Sequence, residues 1–342
     1  MKKMLPVAML VLIVMICLLS ACQNRAIQET AQYNASEAAE RSEDLVSTSE
    51  NSAEEIPSIT QPAKAPVEES PEPNSHDEAS AEAPPENPTP SVIDYYFMGS
   101  QYGMGDYPSF SSLFDAPDGL SRLKEFYAEL NKAVDRVEYH PQSLEYVGTY
   151  AGDAKFSASG SVNDLGDDNN YHTSLKTLMV GRSIYDAFDD VIEVGCNFQE
   201  EDFTVEAVTD VIPIILGYDY MGIYDVGDEL LLSLHTQPLK FQVIGFLQKN
   251  AVLHFNRDIP LDQHIIVPFY DIAYEPTDAV NEYYQEIYYS QKCEGFVSMD
   301  ASADAEQMFQ NVRELAEEYD LLFAVTPAKV NVSEKLNIQC NS

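Results

Sequence analysis

Residues 92–330 are predicted to fold as an α+β domain, with a helix-then-strand unit near each end and a β-rich stretch between them. Three observations predict this. Composition changes abruptly at Val92-Ile93-Asp94-Tyr95-Tyr96-Phe97, and from there to Thr326 apolar residues recur at the density of a folded core. Two segments space their apolar residues three and four apart, which places them on one helical face. The segments between these two are mainly strand-like, and Lys240-Phe241-Gln242-Val243 alternates polar with apolar positions as a half-buried strand does. The pattern is not regular βαβ winding, and no internal repeat at fixed spacing is present.

The chain opens with Lys2 and Lys3, an almost unbroken apolar run from Met4 to Leu19, and then Leu19-Ser20-Ala21-Cys22. That order is a lipoprotein signal peptide over residues 1–21, closed by a lipobox. Small Ser20 and Ala21 admit a peptidase, and the Cys22 thiol can take a thioether-linked diacylglycerol. Each buried acyl methylene then contributes about 0.8 kcal/mol to anchoring at the membrane. An uncleaved anchor is the alternative, but spanning a bilayer takes roughly 20 apolar residues. No second such run follows, so a channel or permease is not expected. Residues 22–91 are rich in Glu, Ala, Ser and Pro, with 15 acidic against 3 basic residues after Cys22. Such a segment buries too little apolar surface to offset its ordering entropy. It is expected to be a disordered tether reaching on the order of 50 Å or more.

Within residues 92–330, Leu120, Leu123, Phe126, Tyr127, Leu130 and Val134 form the first helical stripe, followed by a strand-like run at 144–150. Strands are expected at 176–180, 211–215, 229–234, 239–246, 264–267 and 286–299. The second helix begins near Ser302 and puts Met308, Phe309, Val312, Leu315, Ala316 and Tyr319 on one face, ahead of a strand at 321–326. Residues 331–342 are set apart as a C-terminal tail.

With 19 basic against 57 acidic side chains the chain carries −38, so nucleic acid is excluded as an expected partner for want of a basic footprint. Of five cysteines, Cys17 leaves with the signal and Cys22 is lipidated. Cys196, Cys293 and Cys340 remain, an odd count that is no disulfide framework; one bridge, Cys196 to Cys293, stays open beside three free thiols. Gly-x-Ser-x-Gly, His-Glu-x-x-His, Cys-x-x-Cys and phosphate-cradling glycine loops are all missing from the sequence. No catalytic, cofactor-binding or metal-ligating residue is therefore named, and the chain is not expected to be an enzyme. His254 and His264 flank Arg257 and Asp258 without a nucleophile, and Asp164 to Asn170 clusters oxygens without EF-hand spacing. Tyr283, Tyr284, Tyr288, Tyr289 and Phe296, with the aromatic residues between Tyr95 and Phe110, are either core filling or a contact surface.

Several short words then occur in order. They are Gly195-Cys196-Asn197-Phe198, Ile212-Pro213-Ile214-Ile215-Leu216-Gly217, Val226-Gly227-Asp228-Glu229-Leu230, Phe241-Gln242-Val243-Ile244-Gly245-Phe246, and Ile265-Ile266-Val267-Pro268. Val180-Gly181-Arg182-Ser183 precedes them. Over residues 120–326 this order resembles the MacB-like periplasmic core domain, the extracytoplasmic domain of FtsX-like ABC transporter permeases. The resemblance implies porter-like βαβ units combined with a β-rich second subdomain, and a coupling role between a permease and extracytoplasmic partners. Two departures stand out: Gly195-Cys196 replaces the family's Gly-Arg, and the permease's membrane helices are missing around the domain. The expected protein is thus a non-enzymatic interaction lipoprotein on the extracytoplasmic face of the cell membrane. Its expected partners are the membrane through Cys22 and an ABC transporter permease or another envelope protein. A small-molecule or ion-binding receptor lipoprotein is the alternative, and a permease remnant or a wall-acting enzyme are weaker ones.

Overall fold

The computed structural model describes residues 92–104, 108–114, 116, 118–332 and 336–341. The signal peptide, Cys22 and the tether lie outside the described residues. In chain order the elements are β1 (Ile93–Ser100), α1 (Gly119–Ala133), β2 (Asp135–Val137), β3 (Tyr139–Val147), β4 (Asp164–Leu165), β5 (Tyr171–Val180), β6 (Ile192–Gly195) and β7 (Thr204–Val205). There follow β8 (Val211–Leu216), β9 (Glu229–Leu234), β10 (Gln237–Leu247), β11 (Ala251–His254), β12 (Asp258–Pro260), β13 (Ile265–Pro268) and β14 (Asp271–Ile272). The chain closes with α2 (Ala279–Lys292), β15 (Gly295–Asp300), α3 (Ala305–Glu318), β16 (Phe323–Lys329) and β17 (Asn337–Cys340). The fold is α+β.

Two units share this chain. The first is a four-stranded antiparallel sheet in the order β16-β1-β15-β2. Its connections run β1-α1-β2 and β15-α3-β16, which is a split βαβ arrangement. Alternation along β1 sends Tyr96 and Met98 to the helical side, where Tyr96 meets Phe309 of α3 edge-on at 5.0 Å. The first helical stripe is buried as expected at Leu120, Leu123, Phe126, Tyr127 and Leu130. The second helix starts at Ala305, not near Ser302, because the Asp304 side chain accepts from the Gln307 amide and caps it there. Pro327 stands in β16, an outer strand of this sheet, where its missing N–H blunts further pairing.

The second unit is inserted between β2 and β15. Six of its strands pair in the ring β13-β8-β10-β9-β3-β5, and β5 pairs back to β13, so the sheet closes into a barrel. Closure removes the free edges of those strands. Leu144, Leu175, Ile214, Leu232, Phe241 and Ile265, one from each, are buried in a common cluster. Along β10 the ladder to β8 shifts register between Val243 and Gly245. The lack of a side chain at Gly245 lets β6 approach: a Cβ there would stand 2.8 Å from the Cys196 carbonyl oxygen. Gly217 acts through proximity rather than a positive φ. Its φ is −64°, but a Cβ would fall 2.1 Å from the Leu261 carbonyl oxygen.

Two expectations change. Residues 286–299 are not one strand: the chain is helical to Lys292 and extended only from Gly295. The Asp278 side chain accepts from the Val280 and Asn281 amides and starts the helix, and the tyrosine-rich run that looked strand-like repeats at three and four. Residues 331–342 are not merely a tail, since β17 pairs antiparallel with β11. There Tyr95, Phe255, Phe296 and Tyr139 form a second core: ring centroids lie 5.0 Å apart for Tyr95–Phe255, 5.1 Å for Phe255–Phe296 and 5.6 Å for Tyr139–Phe296. The C-terminal strand thereby flanks a hairpin that packs on the first sheet. Among the described residues, no helix is long and apolar enough to cross a membrane.

Candidate functional site

The features singled out in the sequence do not converge. His254 Nδ1 lies 2.7 Å from Asp258 Oδ1, a pair set across the β11–β12 ladder. His264 is elsewhere, half-buried, with no partner for Nδ1. Burial, aided by the nearby Lys176 ammonium, pushes its imidazole down to about 4. Between pH 6.5 and about 4 the unfolded chain takes up a proton that the folded chain refuses, so stability falls as pH falls through that window. A shift of this size is worth at most about 3 kcal/mol. His264→Phe is expected to flatten the fall in urea midpoint over pH 6.5 to 4 relative to the parent chain; parallel curves would refute the assignment.

Of the oxygens between Asp164 and Asn170, those of Asp168 turn back on neighbouring groups while Asp164 and Asp167 stay exposed. Asp168 accepts from the Asn170 amide at 3.0 Å and lies 3.0 Å from His172 Nε2. Among the described residues, no group of three or more His, Cys, Asp or Glu is placed to hold a metal ion. Cys196 and Cys340 are exposed free thiols, and Cys293 is a buried one, so the Cys196–Cys293 bridge does not form here. Burial pushes the Cys293 thiol up to about 12, which leaves it inert.

The tyrosines separate cleanly. Tyr284, Tyr288 and Tyr289 are core, and only Tyr283 of the helical group is exposed. They build one face of α2, which crosses the end of the barrel nearest the first sheet. Tyr288 stacks on Tyr270 at 5.1 Å and meets Phe269 edge-on at 5.2 Å. The Tyr270 and Tyr284 hydroxyls are 2.7 Å apart. Beside them Asn281 Nδ2 donates to Gln237 Oε1 at 3.0 Å, while Gln291 Oε1 lies 3.0 Å from His235 Nε2 and accepts from Gln142 Nε2 at 3.2 Å. Burial lowers the pKa of both His235 and its neighbour His140.

At the same junction sits a buried charge cluster that sequence reasoning missed. Lys292 is fully buried at the end of α2. Its Nζ donates to the carbonyls of Phe269 at 2.9 Å and Tyr270 at 2.8 Å, and to Asp271 Oδ1 at 2.7 Å. Three acceptors consume its three protons. The ammonium also lies 4.6 Å from the Tyr127 ring centre and 5.2 Å from that of Phe269. Burial lowers the Lys292 pKa, although Asp271 opposes it. Burial raises that of Asp271, but Lys292 and Arg182 together outweigh it and hold the carboxyl below its ordinary value. Arg182, met in the word before Gly195, donates from Nη1 to Asp271 Oδ2 at 2.7 Å. Arg136 of β2 spans the two units by donating to the carbonyls of Lys292 at 2.7 Å and Glu294 at 2.6 Å. Each charge here is matched, with Lys292 enclosed and Asp271 and Arg182 partly open to water, so the cluster clamps the end of α2 to β14. A signal for it existed: Lys292 stands four after Tyr288 and three after Tyr289, on their helical face.

Opposite this junction, the barrel's far rim is formed by the loops after β3, β8 and β10. The 217–228 loop exposes Met221, Ile223 and Val226, and the β4–β5 hairpin exposes Leu165 and Tyr171. No protein-family model matches the chain, and no curated protein matches it.

Proposed function

We propose that this chain is an extracytoplasmic lipoprotein, held at the outer face of the cell membrane by a lipidated Cys22, whose folded part is a non-enzymatic interaction domain. In this reading residues 22–91 are a tether and the split βαβ sheet is the porter-like part. The inserted barrel is the β-rich second subdomain of a MacB-like periplasmic core. Its role is accessory to, or derived from, an ABC transporter permease acting in export or envelope function. The observation that supports it most is the nesting of a closed barrel between the second and third strands of the split sheet. This nesting supports the two-part construction that the resemblance over residues 120–326 implies. The acidic balance of the chain argues for protein partners over nucleic acid.

The test is a crosslinking pull-down from intact cells with the full lipidated chain as bait, alongside Cys22→Ser. Recovery of an ABC permease or envelope protein with the parent chain, and loss of membrane fractionation with Cys22→Ser, is the expected result. A parent chain that fractionates with the membrane yet captures neither would remove the accessory role. Retention of Cys22→Ser at the membrane would remove the lipid anchor.

A further inference from the structure

The surface that asks for an occupant is the barrel rim farthest from the first sheet. β3 leaves β2 at Tyr139 and ends at Val147, a rise of roughly 25–30 Å for its length. At its far end three segments interlock. The Gly148 amide donates to the Tyr171 carbonyl at 2.8 Å, the Tyr150 amide to Asn163 Oδ1 at 2.6 Å, and Phe156 stacks on Tyr220 at 4.1 Å. Upon this base the apolar side chains stand outward: Leu165 is 67% exposed, Tyr171, Ile223 and Val226 each 47%, and Met221 37%.

The loop that carries three of them is held in shape. The Ile223 amide bonds to the Tyr220 carbonyl at 3.0 Å, the Gly227 amide to that of Val243 at 2.8 Å, and the Val243 amide to that of Asp228 at 2.9 Å. Gly222 and Gly227 supply positive φ of 81° and 103° for its two turns. Rigid apolar groups lose little conformational freedom when covered, which is what a binding anchor needs.

Charge selects the occupant. The loops and hairpin that form this rim also carry exposed carboxylates at Asp153, Asp164, Asp167 and Asp225. Of the lysines nearby, Lys155 is held by Asp219 at 3.1 Å, Lys176 Nζ donates to the Lys155 carbonyl at 2.6 Å, and Lys249 lies over the Tyr218 ring at 5.8 Å. An anionic lipid surface is repelled by such a rim, and so is a second copy of a chain carrying −38. We propose that the far rim of the barrel is a docking surface for a partner protein whose contact face sets apolar side chains among Lys and Arg.

The inference rests on the interaction role proposed above and names the face through which that role is exercised. A photoreactive benzoylphenylalanine replaces Met221, Ile223 or Val226, one at a time, in the full chain in living cells, with Phe97 on the first sheet as the comparison site. Expected are adducts from the three rim positions to one protein, mapped to a peptide of net positive charge. The adduct yield should fall about tenfold when Asp164, Asp167 and Asp225 are reversed to lysine. Adducts to lipid or to the chain itself, a net acidic partner peptide, an undiminished yield after reversal, or no adduct would each overturn the proposal. Permease adducts arising from Phe97 alone would overturn it too, while leaving the broader interaction role standing.

Discussion

Lys292→Ala is expected to lower the unfolding free energy by about 4 kcal/mol, as removal of one partner from a buried ion pair does. The ammonium is wholly enclosed and serves two carbonyls and Asp271 at once. Its loss takes that donor from the Phe269 carbonyl, leaves the Tyr270 carbonyl with the Tyr288 hydroxyl, and opens a space between the Tyr127 and Phe269 rings. Asp271 keeps Arg182, and its side chain is 36% exposed, so the carboxylate itself is only partly stranded. The double variant Lys292→Ala with Asp271→Asn should accordingly lose less than the sum of the two single changes, by about 1 kcal/mol or more. Urea unfolding of the four chains measures this cycle. Strict additivity would mean that the pair is not coupled and that the carbonyls alone hold Lys292.

Tyr288→Ala is expected to cost about 4 kcal/mol, the range for truncating a fully enclosed aromatic side chain. The ring is shut among Phe269, Tyr270, Tyr284 and Tyr289 where α2 closes the barrel. Tyr288→Phe keeps the ring and deletes only the hydroxyl that donates to the Tyr270 carbonyl at 3.1 Å, which should cost about 1 kcal/mol. Near-equal losses in the two variants would show that the hydrogen bond, not the packing, carries this site. Because α2 joins the barrel to β15, both variants should also weaken the coupling between the two units. Amide exchange in β13 and β15 reports it.

Much of this fold was legible because local pattern and tertiary need agree. Leu120 to Leu130 repeat at helical spacing and are buried along that stripe, and the alternation through Lys240 to Val243 matches a strand with Phe241 and Val243 inside. The helix at 279–292 was not legible as such. Its aromatic residues carry high strand preference, and only the Asp278 cap and the spacing of Tyr284, Tyr288 and Lys292 betray the turn. β17 was missed for the opposite reason: a short polar segment has no pattern until a partner strand defines it.

The sequence by itself carries the lipobox-like order ending at Cys22, the acidic composition of residues 22–91 and the α+β class, since these depend on composition, order and local spacing. Tertiary structure alone decided which tyrosines are core and which apolar residues face water. It also decided that Cys196 and Cys293 stay apart, that β5 returns to β13 to close a barrel, and that Lys292 meets Asp271 across 21 residues. The physical reason is the same in each case. Burial and charge pairing are properties of groups brought together from distant positions, and a single chain read in order holds their chemistry but not their distances.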